Sequence, residues 1–140
     1  MPKKSIFVIN PCAMDILDFR EYVLGLPEVE ECTPFDDVTL VYKVGGRMFA
    51  CTSMEEFTGI SFHHDVEQGE ALRERYSDVV PAWHFNKKYW STVRVYGDVP
   101  DKAVREMIYG SYIFTIHHNV TPKAERLRLL ALAQEFDIEK

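Results

Sequence analysis

In the stretch NPCAMDILDFREYVLGLP, apolar residues Ile16, Phe19, Tyr22, Val23 and Leu26 recur at the three- and four-residue intervals of one helical face. Asn10 with Pro11, or Asp15, can start that helix, and Gly25 with Pro27 stops it. The period then changes. DVTLVYKVGGRMFACTS alternates on both flanks of Gly45 and Gly46, which supply the positive φ angles of a two-residue hairpin turn. Pairing across this turn sets Tyr42 opposite Phe49 and Leu40 opposite Cys51 on one face. Thr39, Val41, Lys43, Met48, Ala50 and Thr52 fall on the other. GISFHH reads as a further strand with Ile60 and Phe62 facing together, and a fainter strand signal lies near residues 30–33.

DVEQGEALRERY predicts a short helix, with Asp65 and Gln68 as a capping box and Ala71, Leu72 and Tyr76 facing inward. After Pro81, AWHFNKKYWSTVRVYG predicts two strands around a turn at residues 86–88. VPDKAVREMIYGSYIFTIHH carries a helical stripe of Val104, Met107, Ile108, Ser111, Tyr112, Thr115 and Ile116, with Pro100 near its start. TPKAERLRLLALAQEF is a last helix, capped by Thr121 with Pro122 in its first turn. The order α-β-β-β-α-β-β-α-α has consecutive hairpins and segregated helices. It predicts an α+β, two-layer domain, with an antiparallel sheet of about five strands and helices packed on one face. Repeats, low-complexity tracts and Gly/Ser linkers are absent, so residues 1–140 read as a single domain.

Charge alters this picture locally. The formal net charge is −6, yet residues 14–37 hold eight acids against Arg20 alone, so the rest of the chain is close to neutral. This argues against global attraction to nucleic acid but leaves room for a local basic face. Cys12, Cys32 and Cys51 are odd in number and lack C-x-x-C spacing, as expected of reduced thiols. The apolar run in KKSIFVIN is too short for a secretory leader, and no stretch reaches the ~18–20 apolar residues that span a bilayer. The expected location is the cytoplasm, with no membrane contact.

LVYKVGGRMFA, ISF ahead of a short helix ending LRERY, PAWHFNKKYWSTV and VPDKAVREMIYGSY occur in the order of the MmcQ/YjbR family, which the chain resembles over about residues 14–117. The most specific portions are Asn86, Lys87, Lys88, Trp90, Thr92 and Val93, and the pair Ser111 and Tyr112. The helix at about 121–136 extends beyond this core, and residues 1–13 precede it. His63 also departs from the family pattern, standing where members usually carry a lysine.

The resemblance implies a secretion-chaperone-like antiparallel sheet and DNA binding through two projecting wings. If the wings are the hairpin tips, Lys43 and Arg47 flank one, Lys87 and Lys88 form the other, and Arg94 lies on the outgoing strand. Lysine and arginine at turns reach phosphates without reading sequence, so such binding is weak and salt-dependent. The simplest reading of Trp83, Phe85 and Trp90 is that they belong to the core. The alternative function is a protein- or small-ligand-binding module with no nucleic-acid role, using the sheet face or a cleft formed by Trp83, His84, Asn86 and Tyr89. Either way the chain is expected as a monomer or homodimer.

Catalytic motifs are missing: there is no P-loop, G-x-S-x-G or G-x-G-x-x-G. Neither His63 with His64 nor His117 with His118 has metal-ligand spacing, and histidines at a helix C-terminus suit its dipole. Cys51, placed on the Tyr42 face, reads as an inert buried thiol. The expectation is no enzymatic activity, no cofactor and no metal. The last helix is apolar over much of its circumference, from Leu127 to Phe136, and is expected to dock on the domain and cover an open sheet face.

Overall fold

The structure, a computed structural model, describes residues 14–139, with side chains through Asp137. Cys12 and the alternative helix start at Asn10 and Pro11 lie outside the described residues. Helix α1 spans Ile16–Leu24 and is capped by Asp15, whose carboxylate accepts from the Asp18 N–H at 2.8 Å. Strands β1 (Val29–Cys32), β2 (Thr39–Val44), β3 (Arg47–Ser53) and β4 (Gly59–His63) follow. Next come α2 (Val66–Arg75), β5 (Val79–Pro81), β6 (Trp90–Arg94), α3 (Asp101–Asn119) and α4 (Lys123–Glu139). Asp65 caps α2 by accepting from the Gln68 N–H, as the capping pattern predicts. The faint signal near residues 30–33 is a real edge strand, so the antiparallel sheet has six strands, ordered β1-β2-β3-β4-β6-β5.

The β2–β3 hairpin differs from its predicted register. Tyr42 faces Ala50, Val41 faces Cys51 and Leu40 faces Thr52, because a bulge after Tyr42 leaves Phe49 as an extra residue. One face therefore gathers Leu40, Tyr42, Ala50, Ile60, Phe62 and Val93. Cys51 falls on the opposite face.

The helices pack against the first of these faces. Phe19 of α1 meets Tyr42 edge-on at 5.2 Å, and Tyr112 of α3 meets Phe49 at 5.4 Å. In α2 the close approach is made by Gly69, where a Cβ would stand 2.2 Å from the buried His64 ring. Ala71, expected inside, is exposed. All seven residues of the predicted α3 stripe are buried. Helix α4 lies on α3 rather than over the opposite sheet face: Tyr109 stacks on Phe136 and donates to Asp137 at 2.7 Å. Arg128 anchors α4 to the α1–β1 loop through two hydrogen bonds to Glu28, at 2.5 and 2.8 Å.

Candidate functional site

The strand registers place both hairpin tips at one end of the sheet. Val44 faces Arg47 at the first tip, Ala50 faces Phe62, His63 faces Trp90, and Ser91 faces Pro81 below the loop of residues 82–89. The two hairpins are three strand positions apart, a separation of about 14 Å. His63, ending the intervening β4, sits between them.

The first tip is tied down and its lysine faces an acid. Gly45 (φ +58°) lies so close to the α3–α4 junction that a Cβ would approach Val120 to 2.8 Å and Leu129 to 3.2 Å. Lys43 faces Glu30 across the β1–β2 ladder, and Glu28 and Glu30 share a hollow with Gly45 and Gly46. Arg47 is exposed.

The second tip is open. Trp83 is 81% exposed, not part of the core, and the Lys87 ammonium lies 5.5 Å from its ring centre. Lys88 is exposed and makes no side-chain bond to the described residues. Asn86 shapes the turn, its side chain accepting from the Lys88 N–H at 3.0 Å and its carbonyl from the Tyr89 N–H at 3.0 Å. Arg73 of α2 braces the loop base, donating to the Ser91 hydroxyl at 2.7 Å and reaching the Lys87 carbonyl at 3.5 Å. The sequence reading missed Arg73. Arg94 is excluded from this end: it closes the far end of β6 and pairs with Asp78 at 3.6 Å.

Between the tips runs a chain of rings. Phe85 stacks on Trp90 at 4.8 Å and Trp90 on His63 at 4.6 Å. Phe114 meets His63 edge-on at 4.7 Å and His118 at 4.2 Å. Burial pushes the His63 imidazole down to about 4, so the ring is neutral near pH 7, and Nδ1 lies 2.9 Å from the Thr115 hydroxyl. Its neighbour His64 is buried, with Nδ1 facing the Asp65 carbonyl at 2.8 Å. A carbonyl only accepts, so Nδ1 carries the proton and Nε2 accepts from Ser91 at 2.7 Å. Ser111 ties the sheet end to α3, donating to the Phe49 carbonyl at 2.6 Å and accepting from the His63 N–H at 2.7 Å.

The four residues expected to share a ligand cleft lie in four different settings. Trp83 points to solvent and Asn86 builds the turn. Tyr89 borders a hollow of about 270 Å³ with His63, Phe114, His118 and Asn119. His84 joins Phe85, Phe35, Cys51 and Ser61 around a cleft of about 560 Å³ on the sheet face opposite the helices. There burial raises the Cys51 thiol to about 11, keeping it protonated and unreactive. Among the described residues no three of His, Cys, Asp or Glu come together to hold a metal, and no helix is long and apolar enough to cross a membrane.

With this geometry in hand, comparison with known proteins is informative. The YjbR family model matches residues 24–113. The chain belongs to the YjbR family. It is similar to the protein YjbR of Escherichia coli strain K12, 31% identical over 120 residues covering 85% of this chain and all of that one. It also resembles YbdF of Escherichia coli O157:H7, 28% identical over 78% of this chain and 90% of that protein. Among solved structures, the Deinococcus radiodurans protein DR2400, described as a DUF419 domain, superposes with a TM-score of 0.77. It is 38% identical, over 86% of this chain and 90% of that one. A Pseudomonas syringae protein shares the fold at a TM-score of 0.60 and 19% identity, over 70% of this chain and 96% of that one.

Most of the YjbR-like motif is accounted for by architecture. Thr92 bonds Ser61 across β4 and β6 at 2.9 Å, Val93 is core, and the Tyr112 hydroxyl donates to the Pro27 carbonyl at 2.7 Å. With Asn86 in the turn and Trp90 in the ring stack, Lys87 and Lys88 are left facing solvent.

Proposed function

We propose that this YjbR-family protein is a cytoplasmic, non-enzymatic DNA-binding protein that grips phosphates through the loop between β5 and β6. Lys87 and Lys88 are the principal contacts, and Arg47 on the neighbouring tip is a secondary one. The observation that carries this reading is the loop surface, where Trp83 is 81% exposed beneath the Lys87 ammonium and Lys88 has no side-chain partner among the described residues. A lysine pair beside an exposed indole offers charge to the backbone and a face on which a base can stack. Lys43, opposite Glu30, contributes less, and Arg94, paired with Asp78 at the far end, contributes nothing. With a formal net charge of −6, attraction is local, weak and steeply salt-dependent.

The sheet face opposite the helices favours a second reading as a protein- or small-ligand-binding module, because its cleft of about 560 Å³ has the size of a small-molecule site. Fluorescence anisotropy with duplex and single-stranded DNA across a salt series separates the two. Under the DNA reading affinity drops steeply with salt and Lys87→Glu/Lys88→Glu weakens it. Absence of binding at low salt, or indifference to the charge reversals, overturns it in favour of the sheet-face module.

A further inference from the structure

The hollow beside the second tip is lined by His63, Tyr89, Phe114, His118 and Asn119. Tyr89 follows Lys88 directly, and Asn119 precedes the Val120 that packs under Gly45. Its lining is chemically unusual for a surface depression. Tyr89 is 40% exposed, His118 is exposed, and Phe114 and His63 are half-buried beside them. At about 270 Å³ it is smaller than a typical drug-sized site of roughly 300–1,000 Å³ and is bounded largely by rings, as a slot for one planar heterocycle would be. Asn119 supplies the polar group: its Oδ1 is buried and has no hydrogen-bond partner among the described residues. A buried carbonyl oxygen of this kind is costly unless something donates to it. A side-chain amide offers both an acceptor and donors, matching the mixed edge of a nucleobase.

We propose that this slot receives one unpaired nucleobase, stacked against Tyr89 and His118 and hydrogen-bonded at its edge by Asn119. The preferred ligand is then a single strand, or a duplex with an extruded base, with its phosphates carried to Lys87 and Lys88 on one side and Arg47 on the other. The inference rests on the DNA-binding reading and specifies which form of DNA that site takes. Bases paired inside a duplex are out of reach of a hollow lined in this way, whereas stacking on aromatic rings tolerates any base.

The test compares a fluorescent short oligothymidylate with an abasic strand of equal length, which carries the same phosphates without the rings. The wild-type protein is expected to bind the base-bearing strand about tenfold more tightly. In a Trp83→Ala background, which removes the other exposed ring, Tyr89→Ala/His118→Ala should bring the two strands close to parity without changing affinity for the abasic strand. Tyr89→Phe should keep the preference. Equal binding of both strands by the wild type overturns the slot and leaves the phosphate reading standing. A preference that survives Tyr89→Ala/His118→Ala and Asn119→Ala in the Trp83→Ala background likewise removes the base from this hollow. No binding of either strand at low salt overturns the slot and the phosphate reading together.

Discussion

The two hairpin tips are basic, glycine- or asparagine-turned, and emerge from the same end of one sheet, yet the fold treats them differently. The Gly45 and Gly46 tip is pressed against Val120 and Leu129, and its Lys43 faces Glu30. The loop of residues 82–89 is held by Arg73, the Asn86 turn and the stacking of Phe85 on Trp90, and sends Trp83, Lys87 and Lys88 outward. Similar turn chemistry thus yields an anchor in one place and a contact surface in the other. The deciding factor is what packs behind each tip. The α3–α4 junction covers the first.

This contrast can be broken most sharply at the glycines. Gly45→Ala forces a side chain into the left-handed region and against Val120, which should cost about 2–3 kcal/mol in urea unfolding. Gly46→Ala meets the same backbone penalty but open space, and should cost only about 1 kcal/mol. Equal losses at the two positions would mean that the first tip is not anchored.

Ser111→Ala comes next. It removes the hydroxyl shared by the Phe49 carbonyl and the His63 N–H, leaving both groups short of a partner. The expected loss is about 2 kcal/mol, measured the same way. A fully stable variant would show that the clamp behind the first tip is dispensable.

At the second tip, Lys87→Glu/Lys88→Glu should leave the thermal midpoint nearly unchanged while weakening DNA at least about tenfold at low salt. The slope of affinity against salt should also become shallower. Large destabilisation instead would recast this loop as a second anchor.

The histidines between the tips link stability to pH. His63 and His64 have folded-state values below the unfolded one, because burial disfavours the charged ring. The unfolded chain therefore binds more protons as pH falls through about 6.5, and stability declines from there down to about 4. Discounted for the partly exposed His63 ring, the decline should be on the order of 1 kcal/mol, and His63→Phe should flatten part of it in unfolding curves at successive pH values. The smallest effect is expected at Arg94→Ala, a control at the far end of β6. DNA affinity should not change, and stability should shift by less than about 1 kcal/mol.

Helical periods, caps and turn residues were legible because they depend on neighbours in the chain. The seven-residue α3 stripe, the Asp65 cap and the order of elements all followed from local spacing. The edge strand β1 was faint because it is short and carries Glu30 and Glu31 among few apolar positions. The register of β2 against β3 was hidden for another reason. Phe49, Ala50 and Cys51 are all apolar, so an inserted bulge residue leaves the alternation looking intact. That hidden insertion moved Cys51 to the sheet face opposite the helices.

The candidate site was half legible. Lys87 and Lys88 could be named from their motif, but Phe114, His118 and Asn119 could not. The one signal was Phe114, a large apolar residue off the buried stripe of α3. Likewise nothing in WHFNKKYW told that Trp83 faces water while Phe85 and Trp90 form a stack.

Local patterning was therefore sufficient for the element order, the α+β class and the membership of a family, since each depends on a few adjacent positions. Which tip is free, which aromatics are exposed and which rings meet between the hairpins depend on contacts between residues far apart in the chain. Val120 reaches Gly45 and His63 reaches Phe114 only after the strands have paired and α3 has packed across them.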